Sequence, residues 1–296
     1  MEAKEDTRLP GTATRRAMPR TFPAFAAALL LSTCFSGLWG QSFYAALYGA
    51  YALPADVQNL PGFNNVLLRG SVLREEQVKL SYGQGFQAGA RFAYRFNPYL
   101  AVELDLNYLH SAVFVAEQSL DGFTNGFPVQ GDLQQITSAQ MGRIIPALRL
   151  SPGYERLNPY LRTGLVLAWG QLNFSYRDES PGRIAENNWK YTGGMAWGLN
   201  AALGLEYALN ERLSLFAEAS LISLSYAPRR GEMVKATNNG VDELDSYPQH
   251  FREREFVRSY RRGPGSGSEE LSKTLRTFYP FSSLALNLGL AIKLGP

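Results

Sequence analysis

The chain has 296 residues, 45% hydrophobic and 12% aromatic, with 29 Lys and Arg against 26 Asp and Glu. Beyond residue 40 no apolar run approaches the ~20 residues a membrane-spanning helix needs, which excludes a helical membrane protein. Residues 1–40 hold five of the basic and three of the acidic groups, so the remainder balances 24 against 23 and has no basic surplus to recommend nucleic acid as a partner.

At the front, Arg15, Arg16 and Arg20 precede an apolar stretch from Phe22 to Leu38 that contains Leu29, Leu30 and Leu31. A positive segment before a short greasy core predicts a secretory signal, with cleavage after Gly40 preferred and after Ser36 second. Met18 offers a later start that would open a more compact signal. Cys34 raises lipidation as an alternative, but Thr33 fits poorly before a lipidated cysteine. Cleavage after Gly40 removes the chain's single Cys, so residues 41–296 need neither a disulfide nor a thiol catalyst.

The first predicted strand, Phe43 to Leu53, is almost wholly apolar, and its two faces cannot be told apart. In the second, Phe86, Ala88, Ala90, Phe92, Tyr94 and Phe96 alternate with Gln87, Gly89, Arg91, Ala93 and Arg95. Period-two alternation of this kind marks a strand. Asn97-Pro98 makes a tight turn, and the third strand places Leu100, Val102, Leu104, Leu106 and Tyr108 opposite Ala101, Glu103, Asp105 and Asn107. The pattern recurs twice. Ile144, Leu148 and Leu150 pass through Pro152-Gly153 to Leu161, Leu165, Leu167 and Trp169. Trp197 to Tyr207 then turns at Asn210 into Leu213 to Leu221. An eighth strand, Phe278 to Leu294, closes the series.

Tight turns alternate with long links near 54–81, 116–138, 177–189 and 228–274. Short turns on one side and long loops on the other describe a bacterial outer-membrane barrel. The expected fold is therefore a closed, eight-stranded, antiparallel, transmembrane up-and-down β-barrel over 41–296, with periplasmic termini in a Gram-negative outer membrane. A soluble barrel or sandwich also alternates, but it turns its apolar rows inward.

The run Gly85-Phe86-Gln87-Ala88-Gly89-Ala90-Arg91-Phe92-Ala93-Tyr94-Arg95-Phe96-Asn97-Pro98-Tyr99-Leu100-Ala101-Val102-Glu103-Leu104 resembles the OmpA/OmpX-type outer-membrane β-barrel family. It matches that family's glycine-containing strand, Tyr-Arg-Phe-Asn-Pro turn and acidic return strand. The resemblance implies eight strands, variable outer loops and insertion by the barrel-assembly machinery. It says little about activity, since the family includes anchors, adhesins and lipid-A enzymes. The ending Lys293-Leu294-Gly295-Pro296 departs from the family's terminal aromatic residue.

Strand parity predicts an interior charge network of Arg91, Arg95, Glu103, Asp105, Arg143, Arg149, Arg162, Glu206, Glu218 and Lys293. An eight-stranded interior has room only for side chains, so these groups should pair across it. His110-Ser111 invites comparison with a hydrolase, but adjacent strand residues face opposite ways and cannot serve as base and nucleophile to each other. Gly83, Gly85 and Gly89 lead into a strand, not the helix a phosphate cradle requires. Two histidines and no retained Cys argue against a zinc site, and no cofactor is expected. In the longest link, Arg252, Arg254, Arg258, Arg261 and Arg262 form a candidate surface for lipopolysaccharide phosphates or a protein partner. The leading expectation is a non-enzymatic outer-membrane protein whose loops bind or stabilise the envelope. The alternatives are a small channel or apolar-ligand carrier, a lipid-A hydrolase, or a barrel subunit of a secretion machine.

Overall fold

The computed structural model describes residues 42–124, 127–260 and 272–294. The proposed signal and Cys34 lie outside the described residues, as do Arg261 and Arg262. Seventeen strands follow in order: β1 (Ser42–Pro54), β2 (Gln58–Gly70), β3 (Val72–Leu80), β4 (Gly85–Asn97), β5 (Leu100–Ser111), β6 (Phe114–Thr124), β7 (Phe127–Leu150), β8 (Leu157–Ser180), β9 (Arg183–Thr192), β10 (Ala196–Ala208), β11 (Leu213–Tyr226), β12 (Arg230–Asn238), β13 (Val241–Asp242), β14 (Glu253–Val257), β15 (Ser272–Leu275), β16 (Tyr279–Pro280) and β17 (Ser283–Leu294). A 3-10 turn (Leu244–Ser246) and one helical turn, α1 (Gln249–Arg252), separate β13 from β14.

All seventeen strands belong to one sheet, which corrects the expectation of eight strands in simple up-and-down order. Two pairings, β2 with β6 and β14 with β15, are parallel. The supposed loops are themselves sheet: β2 and β3 occupy 54–81, β6 and the start of β7 lie in 116–138, and β9 follows β8 through 177–189. β12 to β15 fall within the longest link. The reason is reach. A membrane-crossing strand needs only about 9–11 residues, whereas β7 and β8 have 24 each. Their polar halves, such as Gln134, Gln135 and Ser138, carry no apolar row for lipid and so read as loop.

Within the sheet, β1, β4, β5, β7, β8, β10, β11 and β17 each have an antiparallel partner along both edges, and β1 lies between β17 and β4. Three short turns join β4 to β5, β7 to β8 and β10 to β11, at the end where Phe43 meets Leu294. Asn97 Oδ1 accepts the N–H groups of Tyr99 and Leu100, and Asn210 Oδ1 accepts those of Arg212 and Leu213. An Asx turn of this kind replaces backbone partners with a side chain. Gly153 adopts φ +77° in the remaining turn, where a Cβ would be strained. This is the turn end; the additional strands form an extension at the opposite end.

One face of the doubly paired strands buries charge, and the other exposes Leu. Leu47 is 70% exposed, Leu286 69% and Leu203 66%, whereas Arg91 is 4% and Asp105 0% exposed. Apolar rows this continuous are not tolerated in water; they fit a hydrocarbon solvent. Aromatic residues sit near both limits of the row on β1, Phe43 and Tyr51, eight residues apart, with Leu53 one outward step beyond Tyr51. At about 3.3 Å per residue they span roughly 26 Å, near the ~25 Å apolar band of an outer-membrane protein.

Candidate functional site

The inward charges converge on one cluster. Arg162 donates from Nη1 to Asp105 Oδ2 and from Nη2 to Glu218 Oε1, both at 2.9 Å. Arg91 Nη2 reaches the same Glu218 oxygen at 3.1 Å and lies 3.5 Å from Asp105. Glu103 faces Arg91, Arg149 and Arg162 at 3.5, 3.7 and 3.8 Å. Arg149 also pairs with Glu206, which in turn has Arg95 at 3.6 Å. Eight of the ten predicted residues thus form one chain of ion pairs. Cross-strand register brings Arg91 opposite Asp105 and Arg149 opposite Arg162, so each like-charged neighbour must find its counterion farther around the interior.

Neutral side chains complete the cluster. Tyr48 donates to Asp105 Oδ1 at 2.8 Å, Tyr160 to Glu218 Oε2 at 3.0 Å, and Asn287 to Glu218 Oε1 at 2.8 Å. Arg149 stacks over the Tyr160 ring at 3.8 Å, and Arg91 lies 5.2 Å from the centre of Phe216. Asp105 and Glu218 thus each accept more than one hydrogen bond in a place shielded from water, whereas both Glu103 oxygens are met by ion pairs alone. The cavity beside Arg91, Arg149 and Glu206 has a volume of about 20 Å³, room for a single water.

The aromatic participants escaped sequence reasoning, although a signal for them exists. Tyr48 lies opposite Gly89 and Gly289, Tyr160 opposite Gly204, and Phe216 opposite Gly289. A Cβ on Gly204 would come within 2.2 Å of the Tyr160 ring, and one on Gly89 within 2.4 Å of Tyr48. Each ring covers a cross-strand glycine, a pairing recognisable once register is known.

Two predicted network members stand apart. Lys293 is half-buried near the turn end, with no carboxylate within 4 Å among the described residues. Arg143 is 1% exposed and also lacks a carboxylate partner there; its Nη1 donates to Gln87 at 3.3 Å and Asn107 at 3.5 Å.

Beyond Arg143, toward the extension, the interior changes character. Leu109, Met141, Val166 and Ala168 begin an apolar cluster that continues through Tyr82, Phe174, Trp189, Tyr191, Tyr226, Phe256, Tyr279 and Phe281. Tyr82 and Phe281 stack at 5.5 Å, Phe174 and Tyr191 approach to 4.9 Å, and Tyr191 meets Phe256 at 5.1 Å. Buried hydroxyls are satisfied: Tyr82 shares a 2.7 Å bond with Thr137, and Tyr226 donates to the carbonyls of Gly170 and Gly193. Burial pushes Tyr176, at the edge of the cluster, up to about 12.

Among the described residues, the candidate surface arginines differ in their surroundings. Arg252 pairs with Asp245 at 3.2 Å, Arg254 lies over the Trp189 ring at 4.0 Å, and Arg258 is exposed. His110 faces outward, while Ser111 turns inward, accepts the Ala139 N–H at 2.7 Å and donates to the Ala112 carbonyl. They form no nucleophile–base pair. Gly83 and Gly85 sit where backbone carbonyls of Phe281 and His110 would strike a Cβ at 2.5 and 2.2 Å, a packing role.

Residues 26–243 match the family described as outer membrane protein beta-barrel domain. The chain belongs to that family; it is a β-rich outer-membrane protein. No curated protein matches it. Among solved structures, Neisserial surface protein A is 14% identical, covering 86% of this chain and 99% of its own, with a TM-score of 0.34. OprG from Pseudomonas aeruginosa is 13% identical, covering 87% and 97%, with a TM-score of 0.41. A mutant of TodX, a monoaromatic hydrocarbon channel, is 9% identical over 88% and 91%, with a TM-score of 0.19.

Proposed function

We propose that this protein carries small apolar ligands at the outer surface of a Gram-negative outer membrane, with the extension outside and the turn end in the periplasm. The observation supporting this reading is the change of lining within one interior: ion pairs fill the part flanked by lipid-facing Leu rows, and aromatic side chains fill the part beyond. Apolar groups with a few placed hydroxyls are the usual composition of a small-ligand site. The ion-paired part has no room for an aqueous path, so a carrier of apolar molecules is favoured over an ion channel.

Export through a cleaved signal at 1–40, insertion by the barrel-assembly machinery and contact with lipopolysaccharide belong to the same proposal. Loop-mediated envelope binding is less well supported, because Arg252 and Arg254 are already engaged within the protein. Titrating purified protein with naphthalene while following tryptophan fluorescence tests the carrier. Saturable quenching that weakens in Phe174→Ala is expected. Quenching that rises linearly, as in protein-free micelles, contradicts it.

A further inference from the structure

A cavity of about 500 Å³ opens on the outer face, where the lipid-facing strands meet the extension. Three chain connections border it: Gly194 and Met195 between β9 and β10, Ala227 and Arg229 between β11 and β12, and Arg276 and Phe278 between β15 and β16. Gly194 takes φ +86°, and a Cβ there would lie 2.8 Å from the Ala227 carbonyl and 3.5 Å from Arg229 Cγ. A glycine is needed for so close an approach, and it packs the β9–β10 connection against the root of the Arg229 side chain.

The charge of this cavity is one-sided. Arg229 and Arg276 line it, and no Asp or Glu does. Among the described residues neither guanidinium forms an ion pair, and Arg276 Nε is shielded from solvent without a hydrogen-bond partner. A cleft lined by one sign of charge concentrates ions of the other sign. The outward-facing Ser223 and Ser225 add hydroxyl donors to the same lining.

Position selects the kind of anion. β11 runs from the turn end toward the extension, and its outward row reads Leu215, Ala217, Ala219 and Leu221 before changing to Ser223 and Ser225. Ser223 lies across from Leu199 on β10, and the exposed rings of Trp197 and Phe278 also line the cavity. A change from Leu to Ser with aromatic rings alongside marks the limit of the apolar band, where the head groups of a bilayer begin. We propose that this cavity is a lipid site, in which Arg229 and Arg276 hold the phosphate of a phosphorylated lipid and Trp197, Leu199 and Phe278 flank its acyl chains. The guanidinium fork suits phosphate oxygens. With the extension outside, as proposed above, the lipid belongs to the outer leaflet; binding itself depends neither on that orientation nor on the carrier reading.

The test reads tryptophan fluorescence of the full chain in phosphatidylcholine vesicles containing a small fraction of a lipid brominated on its acyl chains, a short-range quencher. The part of the signal lost in Trp197→Phe is that of Trp197. Brominated phosphatidic acid should quench this part about fivefold more effectively than brominated phosphatidylcholine, the effect of one basic side chain beside an anionic lipid. Arg229→Gln and Arg276→Gln made together should remove the preference and leave quenching by phosphatidylcholine unchanged, which also shows that the variant has folded with Trp197 in lipid. The corresponding pair of Lys substitutions should retain part of it. Inorganic phosphate in the buffer should leave the preference in place, because the chains also hold the lipid; its abolition would reassign the site to the free anion and overturn the lipid. Equal quenching by the two lipids in the wild type, or a preference that survives the double Gln variant, would overturn the site.

Discussion

The two parts of this interior solve the same packing problem with opposite chemistry. Near the turn end, where the outer face is bare Leu, the inner face is Arg, Glu and Asp tied by Tyr and Asn. In the extension, the inner face is aromatic and the outer one carries exposed polar pairs such as Arg177 with Glu179 and Glu186 with Lys235. Strand alternation forces this inversion. A residue row that faces hydrocarbon must be apolar, so polarity moves to the other side; a row that faces water reverses the arrangement. A buried ion network is poorly exchangeable, since losing one member strands the others, whereas an aromatic cluster can lose a ring and repack.

The sharpest way to break this contrast is Glu103→Ala. It removes one of the counterions shared by Arg91, Arg149 and Arg162 and should destabilise by about 3–5 kcal/mol in urea unfolding from lipid vesicles; a wild-type midpoint would refute the network's structural weight. Next in size is Gly204→Val, which drives a side chain into the Tyr160 ring and displaces its bond to Glu218, for a loss of about 1–3 kcal/mol. Unfolding as wild type would show that the ring does not rest on that glycine. In the extension, Tyr82→Phe removes a single hydroxyl shared with Thr137 and should cost about 1 kcal/mol by the same assay.

Alkaline titration probes one ring of the extension. Tyr176 has its folded pKa raised from 10.0 to about 12. Its neutral form is the one the fold favours, so the associated stability is complete below pH 10 and disappears as pH climbs through 12. The tyrosinate absorbance lost in Tyr176→Phe should therefore be centred near pH 12; a difference centred near pH 10 would contradict burial of this ring.

Much of the turn-end region was legible because period two reports on both faces at once. Phe86 to Phe96 and Leu100 to Tyr108 could be assigned inward and outward residue by residue, and Arg91, Glu103 and Asp105 do converge. Parity gives the face but not the height, which is why Arg143 and Lys293 were grouped with a network they do not join. Tyr48 was illegible for a different reason: β1 is apolar on both faces, and only its register against Gly89 and Gly289 reveals which side it takes. The extension was mistaken for loops, and the strand count with it, because β2, β3, β6, β9 and β12 carry no lipid-facing row. Their pairing depends on distant partners, such as β12 against β9, which local pattern does not disclose.

Current across a planar bilayer holding the purified protein tests the claim on which both readings of the interior rest. Filled by Arg91, Arg162, Asp105 and Glu218 with space for about one water, the interior should pass no steady current in potassium chloride at neutral pH. A stable ohmic conductance in every active bilayer would mean that these ion pairs leave an open aqueous path, and the account of a sealed floor beneath an apolar compartment would fail.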